Sequence, residues 1–156
     1  MDLTKEYISW LNDPEVVRHS NQRFRVHTIA SSQEYLKSFE RTHNLFLSVK
    51  MRDTATYVGT MTAYISKHHR VADMGILIGN REFWGKGIGL DAWATLMQYL
   101  FNSIGLRKIT GGTLRDNTGM VKIMERSGMH LEGIRRDQEL VAGKPQDLLY
   151  FAKFHE

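Results

Sequence analysis

The chain has 156 residues, 42% hydrophobic and 24% charged, with a formal net charge of +4, two prolines and no cysteine; this describes one globular domain over residues 1–156 and excludes a disordered or repeat-built polypeptide. The lack of cysteine removes disulfides, thiolate nucleophiles and cysteine-held metals, and lysines and arginines scattered among acids rather than gathered in a stripe argue against nucleic acid as a partner. Apolar runs fall short of the roughly 20 residues of a bilayer span, and MDLTKEYISW has no basic-then-apolar leader, so a cytoplasmic protein without membrane contact is expected.

In chain order, Tyr7, Ile8, Trp10 and Leu11 space a short helix over 5–12, stopped at NDP because Pro14 disfavours helical geometry in the residue before it. The polar segment RHSNQRFRVHT follows, and then Ser31 and Ser32 ahead of Glu34 suggest a cap for a helix reaching about residue 42. NLFLSVKM and TYVGTMTAYIS are rich in β-branched and aromatic residues and flank the turn DTAT, so they read as an antiparallel pair. VADMGILIG is a third strand, with Gly75 marking a bulge or a close approach.

From Ile88 onward, Ala92, Trp93, Leu96, Met97, Leu100 and Phe101 follow helical spacing up to a stop at Gly105. RKITGGTL is the next strand, NTGMVKIMERSG a helix capped by Asn117 and closed by Gly128, and MHLEGIRRDQEL and QDLLYFAKF two strands joined at VAGKP. The predicted order is ααβββαβαββ.

Between the third strand and the long helix, WGKGIG sets Gly85, Gly87 and Gly89 at every second position. The first amides of a helix lack intrahelical acceptors and carry the positive end of its dipole, so glycines there let an anion approach the backbone. The spacing is not that of a P-loop, because Lys86 is followed by Gly87 rather than Ser or Thr, nor that of a dinucleotide fingerprint, because Gly89 follows Gly87 by two residues instead of three.

WGKGIG, with ADMGILIG before it and DNTGMVKIMERSGM after it, resembles the GNAT superfamily of acyl-CoA N-acetyltransferases over about residues 44–154. The family's loop pattern, Gln or Arg, two residues, Gly, one residue, Gly or Ala, falls on Trp84, Gly87 and Gly89. YISWLNDPEVV is similar to the branch that acetylates ribosomal-protein N-termini and amino sugars, where tryptophan is familiar at the first position.

The resemblance implies an α/β (α+β) fold: a mixed, mostly antiparallel sheet with helices on both faces, a splayed central strand pair, and a first edge strand short or missing. It implies acetyl-CoA (coenzyme A) as cosubstrate, with the amides of Gly85, Lys86, Gly87, Ile88, Gly89 and Leu90 on its pyrophosphate and Trp84 beside them. Backbone groups of Leu77, Ile78 and Gly79 would bind pantetheine, the Leu77 amide would face the thioester oxygen, and Asn117 would lie near the departing sulfur.

Asp73, eleven residues before Trp84, stands where several histone-acetylating relatives carry a catalytic glutamate; the bland alternative is a solvent-facing aspartate at a strand end. His68 and His69 could reach the same cleft or be an exposed loop pair. Met124 occupies the position where many relatives have a thiolate-protonating tyrosine, and Met120 and Met129 are core substitutions. Lys122 and Arg126 could meet CoA phosphates or be a solvated helix face, Glu82 has no role, and no metal is called for.

The expected reaction is direct acetyl transfer to a primary amine, an amino sugar or other small amine first, a protein N-terminus second, with a non-catalytic CoA-binding module as the rival. Arg23, Phe24 and Arg25 are candidates to line the acceptor site, and a homodimer is the default assembly.

Overall fold

A computed structural model describes residues 4–156. Its element order is α1 (Lys5–Leu11), a 3-10 turn (Asn21–Phe24), α2 (Ile29–Lys37), β1 (Leu45–Lys50), β2 (Tyr57–Ser66) and β3 (Val71–Ile78), then a second 3-10 turn (Arg81–Phe83) and α3 (Ile88–Asn102). It continues with β4 (Lys108–Leu114), α4 (Thr118–Arg126), β5 (His130–Val141) and β6 (Lys144–Phe154). The ααβββαβαββ order is observed. One six-stranded sheet runs β1-β2-β3-β4-β6-β5, antiparallel throughout except for the parallel β3–β4 pair.

Helices cover both faces. On one, α3 and α4 press Trp93, Leu96, Met97, Leu100 and Met124 onto Met61, Ala63, Met74, Ile109 and Phe151. On the other, Tyr7, Trp10 and Leu11 of α1 pack with Phe46, Tyr57 and Leu77. Alternation along β3 assigns Met74 and Ile76 to the first core and Leu77 to the second. No strand precedes α1 among the described residues; residues 1–3, where a short first edge strand would begin, lie outside the described range, and β1 forms this edge of the sheet.

The second helix differs from its sequence pattern. Its cap is Thr28, whose hydroxyl accepts from the Ser31 N–H while the Ser31 hydroxyl accepts from the Thr28 N–H, so Ser31 lies inside the first turn. It ends at Lys37 because the backbone tightens into i→i−3 bonds from Phe39 and Glu40, with the Ser38 hydroxyl donating back to Tyr35. That turn brings the Phe39 ring edge-on against Tyr35 and Phe46, at 5.2 and 5.5 Å.

Gly79 ends β3 beneath Trp10. Its N–H donates to the Val58 carbonyl at 3.0 Å, and a Cβ added there would fall within the indole. The constraint on this glycine is close packing against a buried ring. Gly79→Ala is therefore expected to destabilise the fold by roughly 1–3 kcal/mol through overpacking, read as a lower urea midpoint at unchanged slope.

Candidate functional site

The β3–β4 pairing joins only Val71, Ala72 and Asp73 to Lys108, Ile109 and Thr110, whereas β3 continues five residues further along β2 to Ile78. Beyond Asp73 the two strands part. In an antiparallel ladder, alternate residues turn their backbone groups to the partner strand and away from it. The bond from the Gly79 N–H to Val58 sets the phase: Gly75, Leu77 and Gly79 face β2, and Met74, Ile76 and Ile78 face the opening. This corrects the expectation for Leu77 by one position. Its amide belongs to the β2 ladder, and the backbone groups directed into the opening are those of Ile76 and Ile78.

A cleft of about 770 Å³ occupies the opening. Met74 to Ile78 line one side and Gly112, Thr113 and Leu114 of β4 the other. Trp84, Gly85, Gly87, Ile88, Gly89 and Leu90 close one end, and Asn117 also lines the cleft. Of the expected ligand-binding residues, the structure thus gathers Leu77, Ile78, Trp84, Gly85, Gly87, Ile88, Gly89, Leu90 and Asn117 around one space. Gly79, Lys86 and Asp73 do not line it. Lys86 is exposed, its ammonium 5.3 Å from the Phe83 ring centroid.

The loop glycines differ in what they do. Gly85 and Gly87 hold φ of +70° and +79°, the left-handed region, and an added Cβ at either would meet nothing within 4 Å. Gly89 is a packing residue instead, since its added Cβ would lie 2.9 Å from the Ile123 methyl on α4. The first bond into α3 from its N-terminal side runs from the Asp91 N–H to the Gly87 carbonyl. The six amides of residues 85–90 donate to no acceptor among the described residues. Positive dipole, missing acceptors and open space fit a diphosphate at this end. Lys122 and Arg126 of α4 also line the cleft and suit an anionic ligand. Asn117 accepts from the Met120 N–H at 3.4 Å, a long bond that leaves its amide group largely uncommitted.

Asp73 sits where β3 and β4 last touch and accepts from the Thr110 hydroxyl at 2.7 Å. Its crowded setting raises its pKa above the ordinary carboxyl value, and the hydroxyl bond pulls the other way; part of the side chain still reaches solvent. His68 and His69 are exposed in the β2–β3 turn, and Glu82 is exposed beside the loop. Met124 is 0% exposed and belongs to the core, so its position contributes nothing to the cleft surface.

The opposite wall was not legible in the sequence. Glu15, Val16, Arg18, His19, Ser20 and Asn21 line it, together with Glu139 and Leu148. The segment is closed at its neck, where the Asn12 side chain both donates to the His27 carbonyl and accepts from the His27 N–H, each at 2.8 Å. It is tied at its tip by Arg23, which donates to the Ser20 and Leu140 carbonyls at 2.7 and 3.0 Å. Arg23, Phe24 and Arg25 thus do not line the cleft: Arg23 fastens the wall to β5, and Phe24 is 70% exposed. Burial and the Arg18 charge lower the pKa of His19, with Arg23 adding to them and Asp116 opposing, which favours neutral imidazole on this wall.

A protein-family model described as "Acetyltransferase (GNAT) domain" matches residues 2–130. The Bacillus licheniformis protein named uncharacterized N-acetyltransferase p20 is 27% identical over 147 residues, covering 90% of this chain and 81% of that protein. The crystal structure of spermidine N-acetyltransferase from Vibrio cholerae in complex with CoA and spermine matches with a TM-score of 0.86 at 19% identity, over 99% of this chain and 94% of that one. The microcin C7 self-immunity acetyltransferase MccE in complex with acetyl-CoA and AMP matches with a TM-score of 0.79 at 21% identity, over 96% and 86%. At these identities the two structures establish the likeness of fold.

The raised pKa of Asp73 means that the folded chain holds this proton more firmly than the unfolded chain, so ionising the group costs stability. That cost is absent below the ordinary aspartate pKa of about 3.9 and is complete above the raised folded value. Asp73→Asn is expected to raise the denaturation midpoint at pH 7 relative to the unmodified chain, and the two midpoints should converge at about pH 3.

Proposed function

The chain belongs to the acetyltransferase (GNAT) domain family, and from that premise we propose that this N-acetyltransferase transfers the acetyl group of acetyl-CoA directly to a small primary amine. The reading is carried by one observation: Gly85 and Gly87 to Leu90, whose amides lack acceptors, and Ile76 and Ile78, whose backbone β4 leaves open, border the same cleft. Bound acetyl-CoA would supply an activated acyl thioester. The loop amides would hold its diphosphate, with Lys122 and Arg126 adding positive charge, and Ile76 and Ile78 would hold the pantetheine arm in place of the departed β4. An N–H from one of these two residues would face the thioester oxygen and stabilise the developing oxyanion.

The attacking amine must be neutral, whereas an alkylammonium has a pKa near 10.4, so a base is needed. Asp73 takes that role through a bridging water, since its carboxylate is held by Thr110 at the closed end of the splay. Its raised pKa makes it the stronger base. Asn117 would lie near the departing sulfur; as the C–S bond breaks, the thiolate would take its proton from water or from the amine nitrogen now bonded to the acyl carbon. A mixed-charge wall of Glu15, Arg18, His19 and Glu139 suits a small polar acceptor, an amino sugar or comparable amine; the Vibrio cholerae neighbour is named for spermidine, also an amine. A cytoplasmic site of action goes with this cosubstrate.

Thiol release from acetyl-CoA across a panel of primary amines tests the reading, together with calorimetric binding of CoA. Gly87→Asp keeps a residue type tolerated at positive φ but sets a carboxylate in the anion cradle, and it is expected to weaken CoA more than about tenfold. Asp73→Asn should lower kcat/KM about a hundredfold while CoA affinity is retained. CoA binding without turnover on any amine would favour a non-catalytic module, and a chain that binds no CoA would overturn the proposal.

A further inference from the structure

Trp84 makes one side-chain hydrogen bond, from its indole Nε1 to the Ile78 carbonyl at 2.7 Å. Ile78 lies six residues earlier, at the end of β3, and the phase of the β2 ladder turns its carbonyl into the opening where β4 no longer supplies a donor. The backbone N–H of Trp84 closes the preceding 3-10 turn on Arg81 at 3.1 Å. Immediately beyond it begin the acceptorless amides, in a loop where a Cβ added at Gly85 or Gly87 would meet nothing within 4 Å. The indole lines the cleft and is 43% exposed.

We propose that Trp84 is a positioning residue, a clasp whose indole N–H sets the separation between the loop amides and the opened backbone of β3. This inference rests on the function proposed above. The two surfaces take different parts of one ligand, the diphosphate and the pantetheine arm, so both are satisfied together only if their spacing is held. A ligand carrying the diphosphate alone reads only the loop and is indifferent to that spacing.

The test is isothermal titration of the full chain with CoA and with ADP, which has the diphosphate but no pantetheine arm. Trp84→Phe keeps an aromatic ring and removes the donor. Trp84→His keeps an N–H, because imidazole Nε2 is as many bonds from the Cβ as indole Nε1. Trp84→Phe is expected to weaken CoA about fivefold, the value of one hydrogen bond, and to leave ADP within about twofold. Trp84→His should restore CoA affinity at a pH where the imidazole is neutral. Trp84→Leu, also without a donor, is read like Trp84→Phe if that variant does not fold. Unchanged CoA affinity in the donorless variants, failure of Trp84→His to restore it, or equal loss for CoA and ADP would each overturn the clasp. Absence of CoA binding by the unmodified chain would instead sink the proposed function, and the clasp with it.

Discussion

Two parallel strands that pair over three residues and then separate create the condition on which the rest of this molecule depends. A parallel ladder that continued to Ile78 would satisfy the backbone of Ile76 and Ile78 internally and leave no cleft. β3 stays with β2 and β4 stays with β6, each through a long antiparallel register, so both strands are held while the gap between them opens. Trp93 of α3, 1% exposed, underlies this region, and a Cβ added at Gly111 of β4 would come within 3.1 Å of its ring. Small residues on β4 and a large one on the helix let the helix seat closely where the sheet parts.

The opening gains its chemistry from what stands at its ends. At the loop end, two left-handed glycines lead into α3 and leave a run of amides free in the field of the helix dipole. At the closed end, Asp73 and Thr110 form the last side-chain link across the parallel pair. Across the cleft, a loop fastened by Asn12, His27 and Arg23 forms the remaining wall. A β-bulge lies between Arg135 and Glu139, with Asp137 at φ +48° and its N–H donating to the Asp147 carboxylate, which also accepts from Arg115. Such bulges re-aim the residues that follow them, and here the next residues are Glu139, on the cleft wall, and Leu140, whose carbonyl receives Arg23.

The sequence by itself determined the element order and the place of the glycine loop between β3 and α3. Both rest on local physics: β-branched and aromatic residues in β2, period-3.6 patterning in α3, the cap at Asn117, and the glycines set at every second position ahead of α3. Tertiary structure decided the rest. Which backbone groups face the opening is a matter of ladder phase, set by the Gly79–Val58 bond; it keeps Ile78, turns Leu77 and Gly79 to β2 and brings in Ile76. Gly79, expected at the end of a strand among the pantetheine contacts, answers to Trp10, sixty-nine positions away. The wall residues Arg18, His19 and Glu139 carry no periodicity or motif, because their position comes from contacts between segments more than a hundred residues apart, as the Arg23–Leu140 bond shows.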